Sequence, residues 1–412
     1  MTTSKDLPCD IWEKISYTLA DHPPSLCLLS RTSPQLQKLV NFVIGHYEAH
    51  LHITFPKEEC CEAEKTSKDQ VRFEMILNRK GKFRRGKAHC HSVFTCATEK
   101  INVAVDDLLE LFADELITLR FNNVPEASDC FTVFTKFTLP KCEDICFNGT
   151  LPTHNGVFDM FQACKKTSRL VISNPAKETD FSRFWPMLKG SKIQHLDLMS
   201  LHHSSTKEFK LPPSLSNLFF CPKQDVECQH AENLANILYA GKWKRVYIHS
   251  ESALNSLNSK LYKPLKNVTE FCFSSKAFAI DYALDFLKKC DSVKCFNWYG
   301  LHSCVAPIVI ARLLSSIPRN IVFGGCVACK GGETVGGGGF REVAQRLDMV
   351  QVTRLLERED FREVYGKTLA DAVLFEHPTN SATVMYIQKK DSVCGPNCID
   401  IHEISQKAGL QL

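Results

Sequence analysis

The residues in this 412-residue chain with types and spacing suited to chemistry are cysteines, histidines and a run of glycines. Cys326-x-x-Cys329 and Cys394-x-x-x-Cys398 offer four thiolates of the kind that hold structural zinc. The two pairs stand 64 residues apart (394 minus 330), whereas zinc ribbons space theirs by about 15 to 20. His89-Cys90-His91 with Cys96, and Cys60-Cys61, are further thiol and imidazole groupings. Free thiols are the expected state of all of them, with no metal. Gly324-Gly325, Gly331-Gly332 and Gly336 to Gly339 have the backbone freedom of a phosphate loop. They lack the Gly-Lys-Ser/Thr ending whose lysine and hydroxyl hold phosphate and magnesium, so the stretch reads as a linker. His202-His203 follows a strand, where a barrel enzyme would place ligands. Gly-x-Ser-x-Gly elbows, His-Glu-x-x-His helices and aspartate-rich metal loops are absent from the sequence. The expectation is a non-enzyme without cofactor, catalytic residue or metal.

Composition narrows the class. The chain is 44% hydrophobic and 23% charged, an ordinary globular balance, and its net charge of +4 is mild for its size. A general nucleic-acid binder would show a concentrated basic face, so no nucleic-acid partner is expected. Met1 to Asp6 leads into a polar amphipathic segment with no apolar core of signal-peptide length. Val305 to Ile317, the longest apolar stretch, is interrupted by Arg312 and falls short of the roughly 18 residues of a membrane span. The expected location is the cytoplasm, the nucleus or both. There the 20 scattered cysteines are reduced, and Cys146, Cys272 and Cys295 act as small hydrophobes. The sequons at Asn148 and Asn267 then go unused.

Three helical segments open the chain. Leu7, Ile11, Trp12, Ile15 and Leu19 follow the helical period, and Asp10 suits the first turn. The double proline of Asp21-His22-Pro23-Pro24-Ser25 ends that helix. Leu26, Leu28 and Leu29 mark a second helix, and Leu36, Leu39, Val40 and Val43 a third after Ser33-Pro34. Residues 1–50 are too few for a comfortable free-standing domain, and an apolar face left on them usually meets a partner. In the connecting segment 51–110, Val71 to Leu77 alternates like a strand and Asn78 to Lys82 reads as a hairpin turn. The basic run from Arg79 to Lys87 reads as a solvated loop.

From residue 116 the chain repeats. The motif apolar-x-x-apolar-x-apolar has its middle residue at 119, 145, 170, 196, 218, 246, 271, 296 and 321, spaced by 26, 25, 26, 22, 28, 25, 25 and 25. Helical patterns stand between, as at Ile280, Ala283, Leu284 and Leu287, at Leu234, Ile237 and Leu238, and at Val157, Phe158 and Phe161. One strand and one helix per 25 residues suits a stacked solenoid spanning 111–326. A (β/α)₈ barrel has units of similar length, but its doubly buried strands should be more continuously apolar. A glycine-rich linker (327–340) and a C-terminal cap (341–412) follow. In the cap, Arg341 to Glu357 reads as a helix, and Ala372 to Phe375 with Val384 to Ile387 read as a closing hairpin. Side chains at −1, +1 and +3 from each middle residue should line the face away from the helices. They include Arg169, His195 and Arg245 at −1, then Arg120, Asp197, Phe219, Tyr247 and Asn297 at +1, with His249 and Tyr299 at +3. Arginines and aromatics are enriched at interface hot spots, which makes these the candidate substrate-binding residues.

Residues 7 to 43 resemble the F-box family. Leu7-Pro8, Asp10-Ile11, Ile15 and Leu19 are followed in the family's order by Leu26, Leu28-Leu29-Ser30-Arg31, Leu36 and Leu39. The tryptophan often found after the Ser/Arg pair is replaced by Thr32 to Leu36. The repeats resemble the leucine-rich repeats many F-box proteins carry behind the box. The asparagine or cysteine expected five residues after each middle residue is mostly missing: Val124, Thr150, Pro175, Leu201 and Lys223 stand there, and only Cys326 conforms. The resemblance implies an α/β protein: an N-terminal three-helix F-box, a leucine-rich-repeat-like βα solenoid and a C-terminal capping hairpin. It further implies a Skp-type adaptor and cullin as partners in an SCF-type ubiquitin ligase. Leu7, Pro8, Ile11, Trp12, Ile15 and Leu29 would bind the adaptor, and the repeats a protein substrate. The alternative is a repeat-based interaction scaffold whose F-box no longer docks.

Overall fold

The computed structural model describes residues 9–56, 70–80, 88–126, 128–174, 181–199, 211–221, 229–274, 280–301, 322–327, 350–367, 369–376 and 383–389, with single positions 312, 316 and 407. It is an α/β fold in two compact units, Met1–Ser214 and Leu215–Leu412. Their boundary falls where the repeat spacing departs from 25, between Leu196 and Val246.

The first unit opens with helices α1 (Cys9–Leu19), α2 (Pro23–Ser30) and α3 (Pro34–Ile44). The prolines that end α1 also start α2: they occupy its first positions, where no amide hydrogen is needed, and His22 caps them. Ser33 caps α3 by accepting from the Leu36 amide, again with proline at the first position. Strands β1 (Tyr47–Thr54), β2 (Gln70–Arg79) and β3 (His89–Ala97) follow in antiparallel order. The strand expected at Val71 to Leu77 is β2, and it pairs with β3 across residues 80–88. Helix α4 (Ile101–Phe112) then leads to β4 (Leu116–Asn122), which pairs parallel to β1. β5 (Asp144–Asn148), β6 (Arg169–Ser173) and β7 (His195–Met199) complete the sheet order β7-β6-β5-β4-β1-β2-β3.

Parallel strands require a crossover, and here the crossovers are short. They are a 3₁₀ segment (Cys130–Lys136), α5 (Gly156–Ala163) and α6 (Phe181–Phe184) continued by a 3₁₀ turn. The register pairs Leu119 with Ile145, Ile145 with Leu170 and Leu170 with Leu196, so the middle residues of four motifs form one row. All four are buried, as are Phe121, Phe147, Ile172 and Leu198 two positions on. Phe121 and Phe147 stack across the strands at 5.5 Å between centroids, a pairing that adds about 0.5–1.5 kcal/mol to the burial of the rings.

Directly after β4, β5 and β6 the chain enters the left-handed region at the same repeat position. Asn123 has φ 52°, Gly149 φ 91° and Asn174 φ 45°. Asparagine and glycine tolerate this region best, and the turn lets each amide reach the next repeat. Asn123 N donates to Asn148 O at 2.7 Å, Gly149 N to Ser173 O at 2.9 Å and Asn174 N to Met199 O at 3.0 Å. Side chains repeat the pattern, Asn122 donating to Thr54, Asn148 to Asn122 and Asn174 to Asn148, at 2.8 to 3.2 Å.

In the second unit β8 (Asn217–Cys221), β9 (Arg245–Ile248), β10 (Glu270–Ser274), β11 (Cys295–Leu301) and β12 (Val322–Val327) run parallel. The crossovers α7 (Gln229–Ala240), α8 (Glu251–Lys260) and α9 (Ile280–Lys288) lie between them in sequence. Leu218, Val246, Phe271 and Phe296 form the corresponding row. The next member of that row is Phe323, not Ile321. Ile321 and Phe323 both suit an alternating apolar run, so spacing alone did not separate the two registers.

Gly324 and Gly325 belong to β12, between β11 and β15, and not to a linker; residues 328–349 lie outside the described residues. The predicted helix from Arg341 is a strand over its described part, β13 (Val350–Arg354), ending in a 3₁₀ turn. Pairing with β14 overrides the local helical pattern there. β14 (Leu369–Glu376) and β15 (Thr383–Lys389) form the expected antiparallel pair, and β15 adds parallel to β12. Helix α10 (Glu359–Tyr365) precedes them. The order in this unit is β13-β14-β15-β12-β11-β10-β9-β8. Among the described strands, β3 of the first unit pairs with β2 alone and β13 of the second with β14 alone.

Gly149 tests the left-handed turn. A Cβ there would lie 2.8 Å from Asn123 Oδ1, on a backbone with φ 91°. Gly149→Ala should lower the unfolding free energy by about 1–2 kcal/mol, measured by urea titration.

Candidate functional site

Two surfaces combine exposure with apolar or charged side chains. The first is on α1 and α2. Helix α1 buries Ser16 and Tyr17, as the turn after it buries Ala20, while Ile11, Trp12, Ile15 and Leu19, along the other flank of the helix, stay half-buried or exposed. Ile11 retains 38% of its surface. On α2, Leu26 and Cys27 are buried, Leu29 is half-buried and Leu28 is 69% exposed. Leu7 and Pro8 lie outside the described residues. Phe42 on α3 is also exposed, packed edge-on against His46 at 4.7 Å. Neither Leu28 nor Phe42 stands out in the sequence, because both sit inside apolar helical patterns that read as core.

The helices are fastened by polar contacts on their other sides. Arg31 pairs with Asp107 and Glu110 of α4 at 2.7 and 2.5 Å. Cys27 Sγ donates to the Asp107 carbonyl, and burial together with the nearby Asp107 charge pushes its thiol up to about 12. Ser92 of β3 donates to the Asp21 carbonyl at 2.5 Å. Lys80 donates to the Gly45 carbonyl at 2.9 Å and forms a short ion pair with Glu115. Thus Lys80, one of the basic run, is a structural tether; Lys82, Arg84, Arg85 and Lys87 lie outside the described residues.

The second surface is the sheet face bearing the residues on either side of the buried rows. In the first unit it is polar. One row runs His50, Thr118, Asp144, Arg169, His195 and the next His52, Arg120, Cys146, Val171, Asp197. Arg120 is exposed, and Arg169 and His195 are partly exposed. Asp197 is 5% exposed and accepts from Arg169 Nε at 2.8 Å. Burial pushes its carboxyl up, and the Arg169 guanidinium opposes that shift. His50 lies between Thr118 and Asn78, each 3.1 Å away. Burial holds His50 and His52 below the usual imidazole range; at His52 the Arg120 charge adds to that, and Glu74 at 3.8 Å opposes it.

In the second unit the corresponding face is covered. Tyr247, Cys272 and Tyr299 join Leu355, Phe361, Leu369, Ala372, Leu374, Met385 and Ile387 in one buried cluster. Phe219 packs against it and stacks on Tyr247 at 4.6 Å. Arg245 donates to Glu270 at 2.7 Å, and Asn297, fully buried, donates to the same carboxylate at 2.7 Å. The expectation that Tyr247, Asn297 and Tyr299 line an open face is therefore corrected. The C-terminal segment supplies an apolar cover, and Arg245, Glu270 and Asn297 on this face hydrogen-bond to one another.

Cys146, Cys272 and Cys295 are buried, as expected of small hydrophobes. Cys90 is buried while His89 and His91 are exposed, and His91 meets Glu74 at 2.7 Å. Among the described residues no group of three or more His, Cys, Asp or Glu is placed to hold a metal ion. Cys60, Cys61, His202, His203, Cys329, Cys394 and Cys398 lie outside them. No helix among the described residues is long and apolar enough to cross a membrane.

Breaking the buried Arg245–Glu270–Asn297 network should be costly. Arg245→Ala leaves Glu270 uncompensated and should cost about 3 kcal/mol in urea titration, while Arg120→Ala should cost under about 0.5 kcal/mol. For His50 and His52 the folded-state pKa lies below the unfolded value. They favour folding above the ordinary imidazole range, and that contribution is lost as pH falls. Lowering pH from about 7.5 to about 5.5 should reduce the urea midpoint, and less so in His50→Gln/His52→Gln. No model of a known protein family and no curated protein matches the sequence.

Proposed function

We propose that the chain is the substrate-recognition adaptor of an SCF-type cullin-RING ubiquitin ligase. The observation that carries this is the inverted burial of α1. It packs Ser16 and Tyr17 inward and leaves Ile11, Trp12, Ile15 and Leu19 incompletely covered. A helix that presents its most apolar stripe outward has a partner to bury it. The order of Leu7-Pro8, Ile11, Ile15, Leu28-Leu29-Ser30-Arg31 and Leu36 resembles the F-box, which names a Skp-type adaptor as that partner.

Parallel strands at 25-residue spacing support a leucine-rich-repeat-like solenoid as the substrate-holding part. The face left for substrate is that of the first unit, with Arg120, Arg169, His195 and Asp197. In this account the chain supplies no catalytic group. Holding substrate lysines near a charged conjugating enzyme makes ubiquitin transfer effectively intramolecular, and that rise in effective concentration is the mechanism.

Co-purification from cells expressing the tagged full-length chain tests the proposal. Wild type should recover a Skp-type adaptor and a cullin. Leu7→Ala/Pro8→Ala and Ile11→Asp/Ile15→Asp should lose both while keeping the wild-type circular dichroism spectrum. Equal recovery by wild type and both variants would reject docking through this surface. Absence of the adaptor from wild type would instead support the scaffold reading.

A further inference from the structure

Lysine recurs in the helix-to-strand loops of the second unit. Residues 241–244 carry Lys242 and Lys244, residues 260–269 carry Lys260, Lys263 and Lys266, and residues 288–294 carry Lys288, Lys289 and Lys294. Those eight lysines share the three loops with one acid, Asp291. Parallel pairing stacks the loops along one edge of the sheet. Thr269 N donates to Lys244 O at 2.8 Å, Lys294 N to Thr269 O at 2.8 Å and Leu265 N to Lys289 O at 2.7 Å. Ser292 Oγ donates to Lys266 O at 2.6 Å.

The ammonium groups are largely unneutralised. Lys288 pairs with Asp285, and Lys289 donates to the Leu261 carbonyl. Lys242, Lys244, Lys260, Lys263, Lys266 and Lys294 are exposed and form no ion pair among the described residues. Like charges gathered on adjoining loops repel each other, so an edge of this kind lowers its energy by taking up an anion.

A cleft of about 270 Å³ opens within this edge. Leu238, Trp243, Leu265 and Val268 make its lining apolar, and Lys263 and Lys266 stand beside them. Gly241 is required at its wall, since a Cβ there would come within 2.3 Å of the Trp243 indole. The Tyr239 hydroxyl accepts from the amides of Tyr262 and Lys263, which fixes the loop, and the Lys263 ammonium lies 4.6 Å above the Tyr239 ring.

We propose that this edge binds an acidic peptide segment of a partner protein, with one apolar side chain of the segment seated in the cleft. A row of lysines around an apolar recess is complementary to carboxylates flanking an aliphatic or aromatic residue. Nucleic acid fits less well. Binding of single strands relies on a series of aromatic stacking platforms, whereas Trp243 is buried and the loops present a single exposed aromatic, Tyr262. The proposal does not depend on adaptor docking.

The test uses the full-length chain and fluorescence anisotropy. The probe is a labelled peptide of glutamates with a central leucine. Controls are the same peptide with glutamine for glutamate, the same peptide with glutamine for leucine, and a single-stranded oligonucleotide. The acidic peptide should bind saturably and weaken as salt rises, and both peptide controls should bind at least about tenfold more weakly. Lys263→Glu/Lys266→Glu should weaken binding at least about tenfold, and Lys242→Glu/Lys260→Glu, outside the cleft lining, should weaken it as well. Circular dichroism and the urea midpoint establish that each variant is folded. Unchanged affinity in both folded variants, indifference to the central leucine, or equal or tighter binding of the oligonucleotide would each overturn the proposal.

Discussion

Parallel strands cannot satisfy their backbone groups alone, and that constraint organises the molecule. Strands β5 and β6 take their hydrogen bonds from the repeat before and the repeat after them. A shared register is therefore the condition for any repeat to be stable. The row Leu119, Ile145, Leu170 and Leu196 sets that register. The row two positions on fills the space beneath the crossovers with Phe121, Phe147, Ile172 and Leu198. The left-handed residues Asn123, Gly149 and Asn174 extend the same register past the strand ends. Side chains of Asn122, Asn148 and Asn174 add hydrogen bonds across the same strand ends.

Every such strand has a second face, and the two units treat it differently. In the first unit it carries paired and hydrogen-bonded polar groups, Arg169 with Asp197 and His50 with Thr118 and Asn78, which tolerate water. In the second it carries Tyr247, Cys272 and Tyr299, which require cover, and Leu355, Phe361 and Leu374 provide it. Burial of rings of this size is worth roughly 1.5–3 kcal/mol each. The C-terminal strands are thus part of the core of that unit as well as an extension of its sheet.

Much of this was legible in the sequence, and the exceptions have physical causes. Strand positions follow from period-two alternation repeated every 25 residues, which unrelated loops do not produce. The last row was displaced by two because Ile321 and Phe323 satisfy the same alternation. Strand β1 was missed although Tyr47, Ala49, Leu51 and Ile53 alternate inward, because a boundary drawn at residue 50 cut the pattern in half. The burial of Tyr247, Asn297 and Tyr299 depends on residues about 55 to 140 positions later in the chain, and no local pattern reports such a contact. On the helices, the stripe of Ile11, Trp12 and Ile15 was legible as an apolar period. Its incomplete burial was expected from the F-box resemblance alone, because a buried stripe and an exposed one have the same spacing.

The functional account rests on α1 meeting a partner with its apolar flank. Hydrogen–deuterium exchange of the full-length chain, with and without purified Skp-type adaptor, reads that contact directly. Docking predicts slower exchange on adaptor addition in peptides covering Ile11 to Leu19 and Leu28 to Leu29, with the peptides of β5 and β6 unchanged. Identical exchange of those helical peptides at saturating adaptor would contradict the account.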